Sequence, residues 1–525
     1  TRVTGTVEFD SRAVGPGGLF LALPGARSDG HDFAAAAVEK GAVVVLAARP
    51  VGVPAIVVDP GVSSTGEKKA GVLEHDVDGS GAAVLAALAR LAGAVAAKLV
   101  DGGLTIIGVT GSSGKTSTKD LLAAVLTPLG EVIAPPGSFN NELGHPWTVL
   151  RATESTDFLV LEMSARHRGN IAALAAIAPP SIAVVLNVGT AHLGEFGSRE
   201  AIAATKAELP QAVPSSGAVI LNVDDSAVAA MADATAARVV RVSRERGDQN
   251  VDVWADSVTL DELARPRFTL HAGGGQVDVT LAVHGDHQVS NALCAAAVAL
   301  ECGATLEQVA AALAAAGPAS RHRMQVATRP DGVTIVDDAY NANPDSVRAG
   351  LKALAWMSRG AGGQGPRPEG RGGPRPMGPR AQRRGGRGRR SWAVLGEMAE
   401  LGDDAISEHD NIGRLAVRLD VSRLIVIGTG RAMSAMHHGA VMEGSWGSEA
   451  TMVPDADAAL AVLRSELRAG DVVLVKGSNA AGLGALADVL IADSADRGGP
   501  PPRTRGGPPV PSSRVGPGEG STPIA

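Results

Sequence analysis

The run Gly108-Val109-Thr110-Gly111-Ser112-Ser113-Gly114-Lys115-Thr116-Ser117 has the residue types and spacing of a phosphate-binding loop. It follows the β-rich run Thr105 to Val109 and opens a helical segment from Thr116 to Leu126. Glycines let backbone N–H groups turn inward, and a helix start adds partial positive charge. Lys115 can meet the β- and γ-phosphates, and the Thr116 hydroxyl can hold Mg²⁺. Valine stands at 109 where the general pattern has glycine, but a turn built only for shape would not need the Lys-Thr pair. Glu162 closes the apolar run Leu159-Val160-Leu161, where a carboxylate at a strand end can ligate Mg²⁺. His192 lies just past another strand end in Asn187-Val188-Gly189-Thr190-Ala191-His192, and Lys206 follows in Thr205-Lys206-Ala207-Glu208. Alone, the histidine reads as structural and the lysine as solvated; their company raises both.

Lysine is scarce, nine against 39 arginines, yet Lys115, Lys206 and Lys476 all stand beside strand-end or glycine motifs. Arginine would not replace an amine that must act as a compact phosphate donor or be covalently modified.

These groups need a frame. From Leu104 the pattern runs strand (Thr105 to Val109), glycine turn, helix, strand (Phe158 to Glu162), helix (Gly169 to Ile177) and strand (Ile182 to Asn187). Repeated βαβ of this kind predicts a mainly parallel sheet with helices on both faces. Before it, 1–98 alternates turn-rich strands and helices, with Ala34 to Lys40 helical, Val43 to Leu46 a buried strand and 81–98 an amphipathic helix. After it, Val333 to Asp337, Trp392 to Leu395, Leu424 to Ile427 and Val472 to Val475 predict a second open α/β sheet, its crevice at the carboxyl ends. The fold class is thus α/β in three domains: an N-terminal α/β domain over 1–100, a central P-loop-type domain over 101–327 and a C-terminal Rossmann-like domain over 328–496. Residues 359–390 and 497–525, rich in Gly, Pro and Arg or Ser, cannot bury a core and are expected to be disordered.

The 525 residues are 45% hydrophobic but only 2% aromatic, so the cores must come from Ala, Val, Leu and Ile. Net charge is −7, yet 359–390 holds ten Arg and one Glu; the remainder carries 38 basic against 54 acidic residues, or −16. That field disfavours nucleic acid, and no aromatics interleave the insertion's arginines for base stacking. Two cysteines eight residues apart on a helix are beyond disulfide reach, which suits a cytoplasmic protein. The apolar runs are broken by charge or proline, so no stable membrane insertion is expected, and 1–30 lacks a signal-peptide pattern.

Read in order, these motifs resemble the ATP-dependent Mur ligases over about residues 1–495. The resemblance also rests on Gly137-Ser138-Phe139-Asn140-Asn141-Glu142-Leu143-Gly144, on Gly285-Asp286-His287 leading to Ser290-Asn291-Ala292, on Asp337-Asp338-Ala339-Tyr340-Asn341-Ala342-Asn343-Pro344 and on Gly396 to Gly402. It implies an enzyme that phosphorylates a UDP-linked peptide carboxylate with ATP and lets an amine displace the phosphate. Within the family it implies the members that add D-alanyl-D-alanine to UDP-N-acetylmuramoyl-tripeptide, acting as a monomer. By the same resemblance, Thr110, Gly111, Ser112, Ser113, Gly114, Lys115, Thr116 and Ser117 would cradle ATP, with Asn291 on adenine and Asp338 on ribose. Thr116 and Glu162 would hold one Mg²⁺; His192 and a carbamylated Lys206 would hold a second. Arg323 would meet phosphate, in competition with Arg321. Ser11, Arg12, His31 and Asp32 would bind the UDP group, and Asn140 and Asn141 the sugar-peptide. Tyr340, Asn341, Asn343, Lys476 and Ser478 would line the substrate cleft. The rival sister ligase, which adds the third amino acid, has an Asp-Asn-Pro-Arg hallmark that does not occur here. A folylpolyglutamate synthase would lack the N-terminal domain, and a non-catalytic nucleotide-binding scaffold would not need the second metal set.

Overall fold

In the computed structural model the described residues are 2–26, 28–61, 71–189, 193–244, 250–359, 389–445 and 449–493. Three sheets follow one another along the chain. The first is parallel, with Val7–Glu8, Gly18–Leu21, Ala42–Ala47 and Ala55–Val57 in sequence order.

The helix Ser80–Asp101 ties this sheet to the next. Val84, Leu85 and Leu88 share a core with Val7, Leu19 and Leu21, while Ala92, Ala96 and Leu99 share another with Ile106, Leu159 and Ala183 of the second sheet. Contrary to the sequence expectation, this 22-residue helix is long and apolar enough to cross a membrane by length and composition. The fold uses its apolar stripe internally, in those two cores.

The second sheet has nine strands, in the spatial order Gly275–Thr280, Pro266–Ala272, Val253–Leu260, Arg238–Ser243, Ala218–Asn222, Ile182–Val185, Thr105–Thr110, Phe158–Glu162 and Val132–Ile133. The six pairs from Val253–Leu260 to Val132–Ile133 are parallel, and the first two strands, Gly275–Thr280 and Pro266–Ala272, form a hairpin that adds antiparallel to Val253–Leu260. Ile107, Val109, Val160 and Val184 point to one face, under the helices Lys115–Leu126 and Gln288–Glu301; Ile106, Leu159, Leu161 and Ala183 point to the other. Strands buried on both faces explain the unbroken apolar runs that the βαβ reading rested on.

The third sheet has the order Gln325–Thr328, Thr334–Asp337, Val472–Lys476, Ser391–Leu395, Arg423–Ile427, Ala450–Val453, parallel except for its first pair. Its antiparallel edge strand Gln325–Thr328 begins ahead of the expected start at 328.

Arg359, Arg389 and Arg390, expected in the disordered insertion, belong to the fold. Arg389 N–H donates to the Ser358 carbonyl at 2.9 Å, and Arg390 Nε donates to buried Asp471 at 2.9 Å. A guanidinium is kept here because it satisfies a carboxylate inside the domain. Residues 360–388 and 494–525, where the remaining expectation of disorder falls, lie outside the described residues. Because Ser358 and Arg389 already meet, replacing 360–388 with a short Gly/Ser linker is expected to leave the melting temperature and turnover unchanged; lost turnover in a folded variant would give that segment a function.

Candidate active site

The strand Thr105–Thr110 delivers its loop to the helix Lys115–Leu126, with Gly114 at φ +84° as the residue before the helix. Glycine is needed there twice over: the backbone is left-handed, and a Cβ would lie 2.7 Å from Asn291 Oδ1. Asn291, buried and donating to Gln288 Oε1 at 2.9 Å, is therefore set against the phosphate loop. Thr110 donates its hydroxyl to the Met163 carbonyl at 2.9 Å and so joins adjacent strand ends. Ser112 and Ser113 turn their amides to Asn187 Oδ1 at 3.0 and 2.9 Å, and Asn187 Nδ2 returns a bond to the Ser113 carbonyl. The first-turn amides that follow have no intrahelical acceptor, which leaves the helix start available to an anion. Lys115 folds back and donates to the Gly111 carbonyl at 2.7 Å. Burial lowers its pKa, Glu162 opposes that shift, and Arg323 adds to it.

Glu162 is buried at the centre of a polar cluster. Thr116 Oγ1 donates to its Oε2 at 3.0 Å; Ser138 Oγ and Asn140 Nδ2 donate to its Oε1 at 2.8 and 2.7 Å. Arg323 Nη2 donates to Thr116 Oγ1 at 3.2 Å, its guanidinium lies 4.2 Å from the Tyr340 ring centre, and its Nε is buried with no acceptor among the described residues. A buried unpaired guanidinium donor beside a phosphate loop is a place prepared for an anion. Arg321, its competitor in the sequence, is exposed and bound to Asp488 at 3.0 Å.

Lys206 ends the helix Arg199–Lys206, is 8% exposed and has no hydrogen bond or ion pair among the described residues. Burial first, and the Lys115 charge second, hold its pKa well below the usual lysine value. His192 lies outside the described residues.

The remaining candidates fall in three places. Asp338 accepts from Lys476 Nζ at 2.5 Å and from the Met324 amide at 3.2 Å, so both its oxygens are engaged inside the protein. Lys476 also donates to the Asn341 carbonyl at 2.9 Å; it is buried, which lowers its pKa against the pull of Asp338. The buried Ser478 contributes its amide to the Glu397 carbonyl. Asn343 Nδ2 reaches the Ser112 carbonyl at 3.4 Å, while its Oδ1 accepts from Ser346 N–H at the start of the helix Pro344–Arg359. Asn341 is exposed.

At the start of the helix Gly144–Val149, Asn141 Oδ1 accepts from the Leu143 and Gly144 amides. In the first domain Ser11 is half-buried, and exposed Arg12 pairs with Asp10, whose carboxyl those hydrogen bonds hold at about 2. Asp32 is exposed beside Arg49. His31 is buried: Nε2 accepts from Ala48 N–H at 3.0 Å and Nδ1 donates to Asp29 at 2.6 Å. Both ring nitrogens are spent, so His31 shapes the segment that presents Asp29, Asp32 and Arg49. The first domain meets the second through Trp147, whose indole N–H donates to the Val7 carbonyl at 2.8 Å.

Sequence reasoning passed over Ser138 and Asn187, both inside motifs it quoted, because serine and asparagine in loops carry no charge signal.

Known proteins with this architecture fix the family. The Mur ligase family catalytic domain matches 5–93, the Mur ligase middle domain 109–299 and the Mur ligase glutamate ligase domain 380–479. The chain is 74% identical to the UDP-N-acetylmuramoyl-tripeptide--D-alanyl-D-alanine ligase of Mycobacterium bovis, over 94% of this chain and 93% of that one. It belongs to the Mur ligase family. Among solved structures, this Mur ligase resembles MurF from Acinetobacter baumannii, with a TM-score of 0.73, 27% identity and 93% of each chain covered. It also resembles the MurF ligase from Thermotoga maritima in complex with ADP, with a TM-score of 0.71, 27% identity and 94% and 99% of the two chains covered.

Proposed function

We propose that this Mur ligase joins D-alanyl-D-alanine to the terminal carboxylate of UDP-N-acetylmuramoyl-tripeptide, a step of peptidoglycan synthesis. The observation that carries the reading is 74% identity, over 94% of the chain, to a relative named for that reaction. ATP binding is supported by the phosphate loop and by the likeness to a ligase in complex with ADP.

A carboxylate resists amines because its oxygen leaves poorly. In the proposed sequence a carboxylate oxygen attacks the γ-phosphorus, the bond to ADP breaks, and the neutral dipeptide amine attacks the acyl carbon and expels phosphate. The protein's part is to hold crowded anions together. Lys115 swings from the Gly111 carbonyl to the β- and γ-oxygens, and Arg323 turns its unpaired Nε to the γ-phosphate. Asn291 and Asp338 stand on the nucleotide side of the cleft, Asn140 and Asn141 on the sugar-peptide side. Ser11, Arg12 and Asp32 face UDP from the first domain. Tyr340, Asn341, Asn343 and the Lys476–Ser478 loop line the dipeptide entrance. These roles rest on the positions above, under the domain division 1–100, 101–327 and 328–496.

The residues fit a first Mg²⁺. Thr116 Oγ1 and Glu162 Oε2 lie 3.0 Å apart, and hard oxygen ligands about 2.1 Å from Mg²⁺ at right angles would be about 3 Å apart. When bound there the ion would neutralise phosphate charge. For the second Mg²⁺, Lys206 is a buried amine of lowered pKa with no partner among the described residues, which suits carbamylation, since only the neutral amine attacks CO₂; His192 would be its neighbouring ligand. The enzyme would act as a cytoplasmic monomer.

Phosphate release from ATP, measured with UDP-N-acetylmuramoyl-tripeptide with and without D-alanyl-D-alanine, tests the reading. Release is expected only with both. Release that ignores the dipeptide, or that needs a free amino acid in its place, would reject it in favour of the sister ligase.

A further inference from the structure

Arg323 is held in an unusual way. The residues on both sides of it, His322 and Met324, have left-handed backbones at φ +58° and +50°. Neither is glycine, so the turn is strained and persists only if its surroundings over-determine it. Two successive carboxylates at the end of Thr334–Asp337 do so. Asp337 Oδ2 accepts from His322 Nδ1 at 2.7 Å, and Asp338 Oδ1 accepts from the Met324 amide at 3.2 Å. The Tyr340 amide donates to the His322 carbonyl at 3.1 Å, and the same tyrosine's ring lies beneath the Arg323 guanidinium. Upstream, Ser320 fastens the turn to the central domain: its amide donates to Asp120 Oδ2 at 3.0 Å, and its hydroxyl accepts from the Gly137 amide at 2.9 Å. Asp488 lies within 4.8 Å of the His322–Asp337 pair, but Arg321 takes its carboxylate, so the group is a salt-bridge network and not a cation site.

We infer that His322 is a positioning residue for phosphoryl transfer: donating to Asp337, it locks the strained turn that carries Arg323 from the third sheet to Thr116 of the phosphate loop. This rests on the ligase reading and on the phosphate role of Arg323. In this role His322 acts through Arg323 and not on the substrate. Without its donor, the turn relaxes toward right-handed backbone and the guanidinium withdraws from the loop.

The test is a set of variants of the full chain, checked for folding by thermal melting and assayed by phosphate release with tripeptide and dipeptide substrates. His322→Ala is expected to lower kcat about 10- to 100-fold, the scale of a misplaced catalytic group, with KM for the dipeptide unchanged. His322→Gly relieves the strain at 322 but leaves Met324 left-handed and the turn without its donor, and is expected to match it. His322→Asn keeps a donor near the Nδ1 position and tolerates positive φ, and is expected to recover most of the rate. If the alanine variant does not fold, the asparagine and glycine variants carry the comparison. Because His322 acts through Arg323, His322→Ala with Arg323→Ala is expected to be no slower than Arg323→Ala alone. Parental kcat in the alanine or glycine variant, an asparagine variant no better than alanine, or a double variant losing the product of both single effects would overturn the inference. Parental activity in Arg323→Ala would overturn it together with the arginine's role; a parent that makes no ligated product would reject the ligase reading itself.

Discussion

Lys206→Ala is expected to cost about 10²- to 10³-fold in turnover, the scale set by losing one preorganised charge at a phosphoryl centre. Adding a short carboxylic acid such as acetate is expected to recover part of it. A free lysine amine at the end of Arg199–Lys206 is poorly suited to the interior: burial and the Lys115 charge both oppose its protonation. Among the described residues no anion pairs with an unmodified ammonium there, whereas a carbamate turns the same side chain into an anion that pairs with cations such as Lys115. Alanine leaves a gap into which a small carboxylate can enter. The sign with pH follows: the amine that captures CO₂ is the neutral form, present above the lowered pKa, so turnover should fall as pH drops through that pKa and bicarbonate should slow the fall. Equal turnover of mutant and parent would refute the carbamate role.

The second large effect belongs to Lys115→Met. Its ammonium is the only side-chain cation of the run 108–117, donates to the Gly111 carbonyl and feels the Glu162 charge. Turnover is expected to drop about 10³-fold, while the melting temperature holds or rises, because the variant no longer desolvates a charge. Lys115→Arg is expected not to rescue it, since a planar guanidinium does not substitute for a point charge in so confined a loop. A fall in turnover matched by a fall in melting temperature would make Lys115 structural.

How much of this was legible in the letters varies with the kind of signal. Phe158–Glu162 was bounded to the residue, and the helix after the loop to within one, because apolar runs closed by glycine or charge mark buried parallel strands plainly. The antiparallel hairpin Pro266–Ala272 and Gly275–Thr280 was missed: its half-buried alternation is weaker than a continuous run. Phosphate chemistry was readable because Gly114, Lys115 and Thr116 are contiguous. The choice between Arg321 and Arg323 was not, because it depends on a strained turn pinned by Asp337 and Asp338, from across the sheet. The partners of His31 were not legible either: a histidine in a polar motif gives no sign that the Ala48 amide occupies its second nitrogen.

The central claim is that the peptide carboxylate is activated as an acyl phosphate. It is tested most directly by labelling both terminal carboxylate oxygens of UDP-N-acetylmuramoyl-tripeptide with ¹⁸O and running the ligation with ATP and D-alanyl-D-alanine. One carboxylate oxygen must leave with phosphate, so the account predicts one ¹⁸O in each phosphate released and one retained in the new amide. Ligated product accompanied by unlabelled phosphate would contradict it.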